Sequence, residues 1–346
     1  MDNNPTGIHT KETLLNSSLN KSKYSKPNIF KKRFIYSPFE YEKAYEYWLK
    51  QQQAHWLHTE IVMSSDIADW KFNFTPQEKN IIGTTLKGFT QTELIVNEYW
   101  SQKVAQIFQK PEIVMMSIAF ANMETVHTKA YAYLNESLGI EELEEFLEEP
   151  VVKARMDRLL EIKYKTKEEI IRSLAVFSAF TEGVSLFSSF AILLSFSRFN
   201  KLKGVGQIIE WSVRDESLHS EAGCWLFRTA VSENPELFTD ELKKDIYDAA
   251  RMTYQIEENF INKTFELGDV EGLSAYDLKE FIKHRINVKL GDLGLKTEYN
   301  NIDKEALHRM EWFDYMTIGI SHTDFFSTRV TDYSKGVHTR DSWNEI

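Results

Sequence analysis

The sequence predicts an all-α protein, a bundle of long helices. Three observations point there. Seven Pro and 14 Gly are few helix breakers for 346 residues. Apolar, β-branched runs with period-two alternation are scarce. The stretches between breakers are long and repeat their apolar residues at helical spacing. With 42% hydrophobic and 27% charged residues, the chain can bury a sizeable core.

Residues 1–30, rich in Ser, Asn and Lys, read as a flexible amino-terminal arm, followed by a first helix from Glu40 to Gln52. Thr75, Pro76 and Glu78 form a start signal, a capping threonine with proline at the first helical position and glutamate at the third. That helix runs to Phe108, Lys110 and Pro111 break it, and a second runs from Glu112 to Ser137. The acidic stretch Glu141 to Glu149 reads as a solvated turn. A third long helix, with an interruption allowed for, is expected from Asp157 to Phe199, and Asn200 to Gly204 leads to a fourth from Val205 to Val231. Asp240 to Leu267 and Ala275 to Leu290 read as two more, and beyond Gly294 the periodicity dissolves into a polar, aromatic-dotted tail.

Fifty-two acidic against 41 basic side chains give a net charge of −11, the wrong sign for a phosphate-binding surface, so no direct nucleic-acid partner is expected. Cys224 is the single cysteine, which forbids an intrachain disulfide, and the polar start lacks the apolar core of a signal peptide. A reducing, cytoplasmic location fits. Ser173 to Ser197 is 25 residues long with one charge, Glu182, and could span a membrane by length. No second span or aromatic belt accompanies it, so it reads as a core helix whose acid binds something, and no membrane partner is expected.

Glu124-Thr-Val-His127 and Glu216-Ser-Leu-His219 each set a carboxylate and an imidazole one helical turn apart, within reach of one ion. A third such spacing, Glu305 to His308, has no matching partner and reads as surface. Glu93 lies 31 residues before Glu124, and Glu182 lies 34 before Glu216. With a reversal near Lys110, Glu93 and Glu124 sit about 25 and 21 Å along two antiparallel helices, at similar depth. A reversal near Phe199 places Glu182 and Glu216 likewise. Two such hairpins face to face would gather four carboxylates and two imidazoles in one core. Like-charge repulsion and desolvation forbid that unless cations neutralise it. Two divalent ions would, and oxygen-rich ligation with one imidazole per metal suits iron or manganese better than zinc. This is the established ligand pattern of dinuclear carboxylate bundles, so it is matched here rather than discovered.

Six segments then resemble one family in its own order: WLHTEIVMSSDIADW (Trp56 to Trp70), the Glu93 segment, METVHTKAY (Met123 to Tyr131), FTEGVSLFSSF (Phe180 to Phe190), RDESLH (Arg214 to His219) and FFSTRVTDY (Phe325 to Tyr333). Across about residues 35 to 335 the chain resembles the radical-generating small (beta) subunit of class I ribonucleotide reductase. The resemblance implies a ferritin-like helical bundle with a dinuclear metal site in residues 31–330, and a flexible tail at 331–346 for docking to the large (alpha) subunit. It also implies a homodimer, and an oxidant generated at the metal pair for the large subunit's reduction of ribonucleotides. Its metal ligands fall on Glu93, Glu124, His127, Glu182, Glu216 and His219. Glu93 stands where the family usually has aspartate, and glutamate occurs in manganese–iron branches. A di-iron centre is implied first, with manganese–iron or dimanganese as alternatives.

Tyr131 falls on the family's radical tyrosine, and its spacing of four from His127 puts the phenol on the ligand-bearing face. Tyr133 points elsewhere. The resemblance places Leu186, Phe190 and Ser212 around Tyr131, with Ser212 replacing a usual aliphatic residue. It assigns Trp56, Asp215 and Tyr333 to a relay towards the large subunit, with Asp215 orienting His127. Trp211 and Cys224 read as packing residues. Nothing resembles a nucleotide pocket, a phosphate-binding glycine loop or a redox cysteine pair. The alternatives are a ferritin-like ligand-binding oxidase or iron-handling protein, and a metal-free helical scaffold.

Overall fold

The computed structural model describes residues 27–141 and 143–331, with side chains undescribed at 90, 91, 143, 144 and 318–331. Tyr333, residues 1–26 of the expected arm and nearly all of the expected tail lie outside the described residues. Of the arm, Ile29 is buried, and its amide donates to Glu233 Oε2 at 2.7 Å.

Eleven helices of five residues or more run in order among the described residues. They are α1 (Glu42–Gln53), α2 (Ser64–Phe72), α3 (Pro76–Glu98), α4 (Pro111–Leu138), α5 (Leu143–Leu147), α6 (Pro150–Leu160), α7 (Lys167–Ser197), α8 (Lys203–Glu233), α9 (Asp240–Thr264), α10 (Ala275–Asp292) and α11 (Lys304–Thr331). An isolated bridge between Val270 and Leu273 is the one β feature described. A π-helical turn, Tyr99–Val104, prolongs α3, and an eleven-residue π-helical segment, Ala175–Ser185, forms the middle of α7.

Two antiparallel hairpins, α3–α4 and α7–α8, form the centre, with α1 laid along α4 and α9 and α10 against α7. The expected box starts α3: Glu78 N donates to Thr75 Oγ1 at 3.2 Å, and Thr75 N donates back to Glu78 Oε2 at 2.8 Å. Pro111 opens α4, and Gly139, at a left-handed φ of 67°, ends it. Asp66, on α2, accepts the Gly204 and Val205 amides at 3.0 and 2.9 Å and so caps α8 from outside. The apolar window of α7 is 94% buried within the protein, the environment of a core helix.

The interruption allowed for in the third helix lies between α6, which ends at Leu160, and α7, which starts at Lys167 behind a second capping box, Thr166 with Glu169. Two expectations are corrected. The acidic stretch is not turn throughout, since it contains α5. Beyond Gly294 the chain forms a 28-residue helix, α11. Its start is marked by Asp303, whose Oδ1 accepts the Glu305 amide at 2.9 Å, and it buries Ala306, Met310 and Phe313 at helical spacing.

Helices α7 and α8 meet so closely that a Cβ on Gly223 would collide with the side chain of Ser178. Gly223→Val should therefore cost about 1–3 kcal/mol of stability, read as a lowered Tm with helical circular dichroism retained below the transition.

Candidate metal centre

Each site residue comes from a different turn of the two hairpins: Glu93 from α3, Glu124 and His127 from α4, Glu182 from the π-helical part of α7, and Glu216 and His219 from α8. All six are fully buried. They form two overlapping groups, Glu93–Glu124–His127–Glu216 and Glu124–Glu182–Glu216–His219, in each of which the donor atoms lie within 4.8 Å of one another. Glu124 and Glu216 belong to both. The structure thus brings together all six residues that the sequence singled out, and leaves Glu305 and His308 on an exposed face where His308 pairs with Glu311.

The donors face inward. His127 Nδ1 is 3.0 Å from Glu124 Oε2 and 3.0 Å from Glu216 Oε1. His219 Nδ1 is 2.8 Å from Glu124 Oε1. Both oxygens of Glu93 and Glu182 Oε2 are buried without a hydrogen-bond partner, and both oxygens of Glu216 and Glu124 Oε1 meet only the two imidazoles, without aligned hydrogen bonds. Buried polar atoms are ordinarily satisfied, so this concentration of orphans in one cavity matches a cation-shaped demand.

The outer nitrogens are tied down. His127 Nε2 is 3.2 Å from Asp215 Oδ2, which also accepts from Trp56 Nε1 at 2.8 Å. His219 Nε2 lies 2.9 Å from Gln51 Oε1, while Gln51 Nε2 donates to Asp215 Oδ1 at 3.2 Å. With Nε2 of each ring donating outward, Nδ1 is left as the inward lone pair that a metal requires. Trp100 Nε1 donates to Glu182 Oε1 at 2.5 Å. Gln51 and Trp100 were not singled out by the sequence, because a glutamine on a surface-type helix and a core tryptophan have no distinctive spacing.

Among protein groups alone, protons neutralise this cluster. Burial, then the charges of Glu124 and Glu216, push Glu93 well above the usual carboxylate range, and burial does the same for Glu182. Burial opposes charge on His219, but Glu124 and Glu216 outweigh it and push the imidazole up to about 10. Burial likewise opposes the charge on Asp215, but His127, Arg214 and Trp56 outweigh it and hold it below its ordinary value, so it stays ionised.

Tyr131 is fully buried, 4.6 Å from the Phe89 ring and 6.0 Å from the His127 ring between centroids. Its hydroxyl has no hydrogen-bond partner among the described residues, and burial raises its pKa, so the phenol is neutral. The hydroxyl of Ser212 donates to Ile208 O at 3.0 Å. Leu186 and Phe190 are buried, and Phe190 stacks on Phe89 at 5.2 Å. Tyr133 instead donates to Ile61 O at 3.4 Å. Trp56 is buried between the His127 and Trp211 rings, at 5.7 and 5.2 Å. Cys224 is buried and its thiol is pushed up to about 12 by burial, which leaves it unreactive.

Gln51→Leu would remove the acceptor of His219 and one donor to Asp215. Metal affinity should fall about 10- to 100-fold, measured by competition with a chromophoric chelator, with little change in Tm of the protein before loading.

Residues 33–306 match the family described as ribonucleotide reductase, small chain. The protein named probable ribonucleoside-diphosphate reductase small subunit 048L of Invertebrate iridescent virus 3 is 32% identical, over 92% of this chain and 89% of its own. The ribonucleoside-diphosphate reductase subunit beta of Chlamydia pneumoniae is 27% identical, over 86% and 88%. In fold, the chain is similar to the ribonucleotide reductase R2 subunit from Clostridium botulinum, with a TM-score of 0.74 at 20% identity over 80% of this chain and 89% of that one. These matches favour the reductase over a free-standing oxidase or iron-handling relative. The dinuclear site of buried carboxylates and imidazoles thus sits in a chain that belongs to the ribonucleotide reductase small-chain family.

Proposed function

We propose that this chain, as the beta subunit of ribonucleoside-diphosphate reductase, holds its metal pair on Glu93, Glu124, His127, Glu182, Glu216 and His219 and exports a one-electron oxidant to the large subunit. The observation that carries this reading is the pair of overlapping four-residue groups whose inward oxygens have no other partner. When bound, the metal pair supplies redox chemistry with an oxygen species, which no side chain here provides.

The protein's part is to hold, orient and exclude. Glu93, Glu124, His127 and Glu216 would hold one ion and Glu124, Glu182, Glu216 and His219 the other, with Glu124 and Glu216 common to both groups. The oxygen-rich set favours iron first, with manganese–iron or dimanganese as alternatives. Tyr131, neutral and shielded by Phe89 and Phe190, is the residue whose oxidation would store the equivalent. The hydrogen-bonded chain His127–Asp215–Trp56 supports outward transfer from the centre, and Tyr333 would complete it towards the large subunit. A homodimer in the cytoplasm, one domain over residues 31–330, and no membrane or nucleic-acid partner complete the proposal.

Loading with iron, manganese or both, followed by elemental analysis and electron paramagnetic resonance, should give two ions per chain, one per group. A tyrosyl signal that Tyr131→Phe abolishes without metal loss would assign the radical, and one that survives would remove Tyr131 from the role. Loading must displace the protons on Glu93, Glu182 and His219, all of which the site holds more tightly than usual. The apparent metal affinity should therefore rise with pH, by about one power of ten per unit for each proton released, and calorimetry in buffers of different ionisation enthalpy would count them. Trp56→Phe should keep metal yet reduce turnover with the large subunit to background, and Asp215→Asn should reduce turnover likewise while also lowering metal affinity about 10- to 100-fold, because Asp215 orients His127. Full turnover in either variant would exclude that residue from the relay.

A further inference from the structure

Glu182 sits in the only site-bearing helix segment with i to i+5 bonding, a geometry with weaker register than an α-helix. What restrains it comes from another helix. The carbonyl of Gly183, the next residue, accepts from Arg285 Nε at 3.1 Å and from Arg285 Nη2 at 2.8 Å. Among the described residues, the hydrogen bonds of Arg285 all go to that one carbonyl. Its guanidinium carbon lies 3.6 Å from the centre of the Phe187 ring, one turn further along α7. The opposite side of Gly183 is equally confined: a Cβ there would lie 2.7 Å from Lys289 Cδ and Cε, and 2.7 Å from Ser220 Oγ. Ser220 follows His219 on α8, and Lys289 stands one turn after Arg285 on α10.

Arg285 is part-buried, and Asp314 and Asp292 favour its charge without a hydrogen bond to it, so its directed contacts are the Gly183 carbonyl and the Phe187 ring. What the guanidinium adds is direction, since its planar fork donates two N–H groups to a carbonyl at one position and angle. We propose that Arg285 is a positioning residue for Glu182: its two-pronged hold on the Gly183 carbonyl sets the rotation of the π-helical segment, and with it the inward aim of the Glu182 carboxylate. The inference rests on the six-residue ligand set proposed above and sharpens it. Glu182 belongs to one of the two groups only, whereas Glu93 and His127 belong to the other. Loss of the hold should therefore weaken one ion and spare its neighbour.

The test is a Mn²⁺ titration of the full chain, with free Mn²⁺ followed by electron paramagnetic resonance, for the unmodified protein, Arg285→Met and Arg285→Lys. The unmodified protein should bind two ions. Arg285→Met should retain the first and bind the second about 10- to 100-fold more weakly, and Arg285→Lys, which keeps a donor without the fork, should recover part of the difference. Two ions bound by Arg285→Met with unchanged affinity, or both weakened in parallel, would overturn the inference. Should Arg285→Met fail to fold, Arg285→Lys decides by the same criterion, selective weakening supporting the proposal and unchanged binding refuting it. If the unmodified protein itself bound no pair of ions, the ligand set beneath the inference would fail instead.

Discussion

Four glutamates and two histidines crowd together fully buried, and the electrostatic demand of that confinement bears on every contact around them. Carboxylates this close and this deep cannot all be ionised without cations. Protons meet the demand in one way, by lifting Glu93, Glu182 and His219 out of their ordinary ranges, and a metal pair meets it in another. The exchange between these two solutions is the chemical character of the site. Every surrounding contact bears on how cleanly it can occur.

The supports fall into two sets with different physics. On one side a polar net runs from α1 to α8: Gln51 and Asp215 accept from the outer nitrogens of both imidazoles, and Trp56 donates into the same carboxylate. It fixes which ring nitrogen faces the cavity. On the other side Phe89 lies against the buried Tyr131 ring and Phe190 stacks on Phe89. The Tyr131 hydroxyl has no hydrogen-bond partner within range among the described residues, and Ser212, Glu93 and Glu216 stand near it. One face of the centre is thus polar and hydrogen-bonded, and the other largely aromatic.

The centre was legible in the sequence because helices convert chain separation into depth at a constant rise. Glu93 to Glu124 and Glu182 to Glu216 could be placed level once Lys110–Pro111 and the segment after Phe199 were read as reversals. The π-helical segments were not legible, since a wider turn is imposed by what packs on it and leaves no residue signature. Gln51 and Trp100 share that difficulty: their meaning lies in partners 168 and 82 residues away. Helix α11 was missed for another reason: among its described side chains the fully buried ones are Ala306, Met310 and Phe313, a short stripe flanked by charged residues such as Glu305, Arg309 and Glu311. The break before α7 did carry a signal, Thr166 with Glu169, overshadowed by the apolar run behind it.

The central claim is that these six side chains enclose two ions, and anomalous X-ray diffraction from metal-loaded crystals tests it most directly. The account predicts two peaks about 3.5–4 Å apart, each next to one imidazole Nδ1 and both bordered by Glu124 and Glu216. A single peak, or peaks outside the cavity with Glu93 and Glu182 remaining protonated within it, would contradict it.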